Sequence, residues 1–139
     1  MSIEIWKDVV GYDGLYKVSE SGSVKSTLAV VKCKNYFRIR PSKLLSQHIS
    51  RCGYSRVTLF KNGFRKVELV HRLVAQAFHP LSEFLGAEVN HRDGMKSNNH
   101  FRNLEWVTSG ENQKHAYRLG LKSKKHLMGG ANFKKKQLR

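Results

Sequence analysis

Short alternating runs fill the first half of the chain, and helical spacing first enters near residue 70. Within residues 3–27, Trp6 and Tyr12 bracket a turn carried by Gly11 and Gly14. Tyr16-Lys17-Val18-Ser19 then reads as a short strand, Glu20-Ser21-Gly22 as a tight turn, and Val24 as the start of a return strand. Residues 28–42 are mixed and basic, with Pro41 near their end, and are expected to form a loop or an irregular strand. Leu44 to Ile49 reads as a further strand. Tyr54–Lys61 and Phe64–Leu69 form the clearest hairpin, because Asn62-Gly63 between them tolerates positive φ at both turn positions. Pairing around that turn puts Val57 and Leu59 on one face and Arg56, Thr58, Phe60 and Arg65 on the other. That second face suits either nucleic-acid contact or an ordinary half-solvated sheet.

Val70, Leu73, Val74, Ala77 and Phe78 recur at i, i+3, i+4, i+7 and i+8, one apolar stripe of a helix that Pro80 should stop. The stripe marks core, with His71 and Arg72 beside it; Arg72 could meet a phosphate or a neighbouring carboxylate. Residues 82–88 connect to a short strand over Glu88–His91. A second strand covers Leu104–Val107, with Leu104, Trp106 and Val107 as core behind it, and the turn-forming Asp93-Gly94 and Asn98-Asn99 lie between. Thr108 with Glu111 three residues on is a capping box, and Gly120 is a natural C′ residue for the helix that follows. Asn112, His115, Ala116 and Leu119 share one face of it. The expected class is α+β. A small antiparallel β module (residues 1–68) precedes a strand–loop–strand–helix unit (69–120), and a basic tail (121–139) is expected to order on binding.

At 139 residues the chain is one domain, or two small modules sharing a core. No run of about 20 apolar residues predicts a membrane span, and Met1-Ser2-Ile3-Glu4 lacks the features of a secretory signal. A cytoplasmic protein is expected, and a membrane partner is not. Cys33 and Cys52 form no C-x-x-C pair, which argues against structural zinc and reads as two buried or neutral thiols. The charge balance changes the picture most. There are 26 Lys+Arg against 10 Asp+Glu, a formal net charge of +16. No acid occurs between Glu20 and Glu68 or after Glu111. Cations so unbalanced call for a polyanion. Candidate contacts are Lys17, Lys25, Arg38, Arg40, Arg56, Lys61, Arg65, Arg72, Lys114, Arg118, Lys122, Lys124 and Lys125.

Cutting a phosphodiester requires a base to activate water, neutralisation of the phosphate, and stabilisation of the departing 3′ oxygen. A His near neutral pKa can be the base, and a hard divalent cation held by oxygen ligands can meet the other needs. His91 closes the first strand and Asn112 lies in the first turn of the following helix. Asn103 is placed to fix the loop, and Asp93 could cap that loop or act as an extra ligand. Strand neighbours point to opposite faces, so Asn90 and His91 need a twist or a bulge to serve one site.

Asn90-His91-Arg92-Asp93-Gly94, with Asn98-Asn99, Asn103-Leu104-Glu105-Trp106-Val107-Thr108 and Glu111-Asn112, resembles the HNH endonucleases with a ββα-metal site. His71-Arg72-Leu73-Val74-Ala75-Gln76-Ala77-Phe78 resembles the helix preceding that motif in phage and intron-encoded homing nucleases. Trp6-Lys7-Asp8-Val9-Val10-Gly11-Tyr12, Tyr16-Lys17-Val18-Ser19 and Gly22-Ser23-Val24 resemble the small DNA-binding module often fused to them. The likeness covers roughly residues 4–118.

The resemblance implies a general base at His91, a structural Asn at 103 supporting catalysis, and metal ligands at Asn90 and Asn112. His115 and Asp93 are auxiliary candidates. It implies one Mg²⁺ or Mn²⁺ per site, double-stranded DNA as partner, and no small-molecule cofactor. Many relatives carry Asp where Asn90 stands, so metal affinity turns on what supplies the missing charge: Asp93 or a substrate phosphate. Longer relatives continue into a helix-turn-helix, and with the chain ending at Arg139 weaker sequence discrimination is expected. One site per chain is expected to nick one strand. Monomer and homodimer both remain open. The rival reading is a catalytically weak or inactive DNA-binding protein, kept alive by the neutral Asn90. An RNA-directed role lacks an aromatic stacking signature.

Overall fold

In the computed structural model, which describes residues 3–79 and 86–122, the turn chemistry and periodicities above set most of the elements. β1 (Trp6–Asp8), β2 (Tyr16–Ser19) and β3 (Val24–Ser26) form an antiparallel meander. β8 (Ser55–Lys61) and β9 (Phe64–Leu69) pair in full register around Asn62 and Gly63, whose φ of 51° and 80° fit the expected turn. Val57 and Leu59 are fully buried, while Arg56, Phe60 and Arg65 face solvent.

Two segments differ from expectation. Residues 28–42, expected as a loop or an irregular strand, are extended, but as two paired strands rather than one. They hold a separate two-stranded ribbon of β4 (Ala29–Lys32) and β5 (Phe37–Arg40). Its β-branched and aromatic residues favour extended backbone. No residue of the ribbon is fully buried: β4 alternates only between half-buried and exposed, and Val30, Tyr36, Phe37 and Ile39 stay exposed. Residues 44–49 are not one strand either. β6 (Lys43–Leu44) closes the first sheet beside β3, and β7 (His48–Ile49) opens the second beside β8. Gln47, at the crossing, donates to the Gly22 carbonyl at 2.7 Å.

α1 (Val70–Phe78) buries Val70, Leu73 and Val74 in a single cluster with Val9, Tyr12, Tyr16, Val18, Val24, Val57, Leu59 and Leu104. Side chains from both sides of residue 68 thus share one core. The helix ends with the His79 N–H on the Ala75 carbonyl; Pro80 lies outside the described residues. β10 (Glu88–His91) and β11 (Leu104–Val107) make an antiparallel ribbon, followed by α2 (Ser109–Arg118). The capping box forms in full: the Thr108 hydroxyl accepts from the Glu111 N–H, and the Glu111 carboxylate accepts from the Thr108 N–H. Gly120 follows the helix at φ 71°. Trp106 anchors β11 to the end of α1 by donating its indole N–H to the His79 carbonyl at 2.9 Å. Cys33 is half-buried, Cys52 is exposed, and both are free thiols. Among the described residues no helix is long and apolar enough to cross a membrane.

Candidate active site

The β10–β11 ribbon and α2 enclose an open cavity of about 310 Å³ lined by Glu88, Asn90, His91, Asn112, His115 and Tyr54, with Lys96 and Lys122 at its margin. The ladder is continuous from Glu88↔Val107 to His91↔Leu104, so no bulge contributes. A two-stranded ribbon twists strongly, and Asn90 and His91 both reach the cleft although successive strand residues point apart.

His91 is buried and its orientation is fixed. Its Nε2–H donates to Oδ1 of the buried Asn99 at 2.9 Å, which leaves Nδ1 carrying the lone pair. Its ring packs 5.1 Å from His71 and 6.1 Å from Tyr54, centroid to centroid, and Tyr54 and His71 lie 5.0 Å apart. His71, expected only to flank the apolar stripe, is itself buried. Burial, then the neighbouring His91 and Arg72, hold its imidazole down to about 4, so it is neutral near pH 7. A neutral imidazole can enter a core where a charged one cannot.

The loop after His91 is braced by Asn103. Its Oδ1 accepts from the Asp93 N–H at 3.1 Å, and its Nδ2 donates to Asp93 Oδ1 at 3.0 Å and to the Asn98 carbonyl at 2.8 Å. Asp93 also accepts from Asn98 Nδ2 and the Met95 N–H, both at 2.8 Å. These bonds, with Asn98 foremost, hold its carboxyl below the usual range. Asp93 therefore caps the loop and, of the two roles open to it, takes the structural one. His115 Nε2–H donates to the Arg92 carbonyl at 2.9 Å, tying α2 to the same loop.

Both amides at the cleft are pinned through their NH₂ groups. Asn90 Nδ2 donates to Glu105 Oε1 at 2.9 Å, and Asn112 Nδ2 donates to Glu88 Oε2 at 2.8 Å. Each amide oxygen is left free of these contacts. No group of three or more His, Cys, Asp or Glu side chains is arranged to hold a metal among the described residues. The available donors are amide and carboxylate oxygens, a set that suits a hard cation keeping water and phosphate ligands.

The cations expected to meet DNA divide in two. Arg38, Arg56, Arg65, Arg72, Lys114, Arg118 and Lys122 are exposed. Arg40 is not free: its guanidinium donates to the Leu15 and Thr27 carbonyls and lies over the Tyr16 ring. Lys17 pairs with Asp8, Lys61 with Asp13, and Lys25 sits over Trp6. Lys124 and Lys125 lie outside the described residues. Tyr54, His71, Glu88, Lys96, Asn99 and Glu105 belong to the site or its supports without having been singled out for it. For Asn99 the available signal was its place beside Asn98 in the motif. For Glu88 it was the i, i+2 spacing to Asn90 on one strand face.

Comparison with known proteins agrees with this geometry. The NUMOD4 motif matches residues 4–60, and the HNH endonuclease family matches residues 68–114. The chain is 44% identical over 103 residues to DNA endonuclease I-HmuI of Bacillus phage SP01, covering 74% of this chain and 52% of that protein. It is 30% identical over 114 residues to the H-N-H endonuclease F-TflII of Escherichia phage T5, covering 81% of this chain and 52% of that protein. A solved structure described as DNA binding and cleavage by the HNH homing endonuclease I-HmuI matches with a TM-score of 0.72 and 36% identity, covering 94% of this chain and 68% of that chain. The chain thus spans about half the length of these two phage relatives. With its ββα cleft and both sequence modules matched, the chain belongs to the HNH homing endonuclease family.

Proposed function

We propose that this chain is a metal-dependent DNA endonuclease that hydrolyses a phosphodiester bond of double-stranded DNA and nicks one strand per site. The supporting observation is that His91 and Asn112, from two different elements, line one open cavity. With Nε2–H engaged by Asn99, His91 takes the proton of the attacking water at Nδ1. General-base catalysis of this kind contributes roughly 10²–10⁴-fold. Asn90 and Asn112 would hold a divalent cation, Mg²⁺ or Mn²⁺, through their amide oxygens. When bound, that ion neutralises the scissile phosphate and the departing 3′ oxygen. Asn103 supports catalysis by keeping the loop after His91 in shape. Lys96 and Lys122 attract the phosphate backbone to the mouth of the cleft. The exposed face of Arg56, Phe60 and Arg65, together with the basic β4–β5 ribbon, extends the contact along the duplex.

The test is supercoiled plasmid incubated with the chain and Mg²⁺ or Mn²⁺, against an EDTA control. Relaxed circles that appear only with the cation support the proposal. Retarded plasmid with no relaxed or linear product favours a DNA-binding protein without hydrolytic activity, the reading to which the neutral Asn90 points.

A further inference from the structure

Asn90 leaves the cleft with two neutral amides where a dication is to be held, and the charge has to come from somewhere. Asp93 is consumed by the loop and Glu105 by Asn90 and Arg92. Among the described residues Asp8, Asp13 and Glu68 are paired with lysines, Glu4 and Glu20 sit in the N-terminal module, and Glu111 closes the capping box. Glu88 differs from all of these. It is the one acidic side chain among those lining the cavity, it is half-buried, and it makes no ion pair among the described residues. Arg72, which shares the adjoining cavity with it, does not reach it as an ion pair. A half-buried carboxylate that faces a cavity and has only a neutral amide as hydrogen-bond partner is a ready ligand for a cation.

We propose that Glu88 is the anionic metal ligand of this site, supplying from one residue pair upstream on β10 the carboxylate that position 90 lacks. Residues 88 and 90 lie on one face of the strand, because side chains alternate with period two. Glu88 Oε2 accepts from Asn112 Nδ2 at 2.8 Å, so the carboxylate is held beside the Asn112 side chain at the cleft. Oε1 is left for the cation. Glu88, Asn90 and Asn112 line one cavity and carry one carboxylate and two amide oxygens between them, donor types that suit Mg²⁺ or Mn²⁺. This inference rests on the metal-dependent reading above.

The test is Mn²⁺ binding to the full chain, followed by the loss of the free-ion EPR signal, with no DNA and no turnover. The wild-type chain is expected to bind one Mn²⁺. Glu88→Gln keeps an oxygen that can accept from Asn112 and removes only the charge; it is expected to weaken Mn²⁺ binding about tenfold or more. Asn90→Asp in the Glu88→Gln background is expected to recover most of that loss. Circular dichroism, expected unchanged, shows that the variants fold. A wild-type chain that binds no Mn²⁺ in the absence of DNA overturns the role of Glu88; the metal-dependent reading is decided separately by the plasmid assay, where a phosphate can supply the charge. A wild-type chain that binds Mn²⁺ with Glu88→Gln equally tight overturns the role of Glu88 and leaves that reading standing. Equal binding would mean that Glu88 only orients Asn112.

Discussion

Gly22, in the turn between β2 and β3, is far along the chain from His91 yet bears on it directly. A Cβ added there would stand 2.8 Å from the Cβ of Asn99. Carbon atoms rest about 3.5–4.0 Å apart, so Asn99 would have to retreat by about 0.7 Å or more. Asn99 Oδ1 lies 2.9 Å from His91 Nε2, and a retreat of that size carries the pair beyond the ~3.2 Å limit of a good hydrogen bond. Leaving a buried N–H unpaired costs about 1–3 kcal/mol. If that loss falls on the orientation of the base, cutting slows by about 5- to 150-fold. Gly22→Ala also suffers from its φ of 98°, but Gly14→Ala provides a control. Gly14 has φ 79° and its Cβ would meet nothing within 4 Å. Both variants should lose about 1–2 kcal/mol from the backbone alone. Gly22→Ala alone should lose more and nick slowly, while Gly14→Ala nicks at the wild-type rate. Urea denaturation and initial rates on supercoiled plasmid read the two effects. Equal stability and equal rates for the two variants would refute the coupling of the β2–β3 turn to His91.

His71 makes stability depend on pH. Its folded value of about 4 lies below the ordinary 6.5, so the unfolded chain binds the proton more readily. Its contribution is complete above pH 6.5 and is lost as pH falls towards 4, by up to about 3 kcal/mol; His71→Gln should flatten a urea-midpoint curve across that window. Arg40→Ala should cost about 1–3 kcal/mol of stability, because it abandons two carbonyls, without an outsized effect on DNA affinity. Arg56→Ala should do the reverse: a stability change within about 0.5 kcal/mol and a log–log salt slope of DNA binding shallower by about 0.9. Thermal melts and fluorescence anisotropy at several salt concentrations decide both.

The elements that could be read in the sequence are those whose pattern reports burial or turn chemistry. Asn62-Gly63, the Val70–Phe78 stripe and the Thr108–Glu111 box each carry a local physical cause, and each forms as expected. The β4–β5 ribbon was harder to read because none of its residues is fully buried, so the alternation it does have leaves a weak mark on the sequence. The break between β6 and β7 depends on two sheets competing for one segment, which is a tertiary effect. The site divides in the same way. His91, Asn103 and Asn112 were marked by motif spacing, but their partners depend on pairings that no local spacing encodes. Asn99 meets His91 across eight residues, and Glu88 meets Asn112 across 24. Arg40 looked like any other cation until its carbonyl partners in the first module came into view.

The central claim is that the buried imidazole at 91 performs hydrolysis rather than merely supporting the fold. Plasmid nicking by wild type and His91→Ala in Mg²⁺, with DNA affinity measured on the same preparations, tests it most directly. The account predicts that His91→Ala binds DNA within about twofold of wild type while its nicking falls by about 10² or more. Undiminished nicking by His91→Ala, or a collapse of DNA binding alongside it, would contradict the assignment of the base.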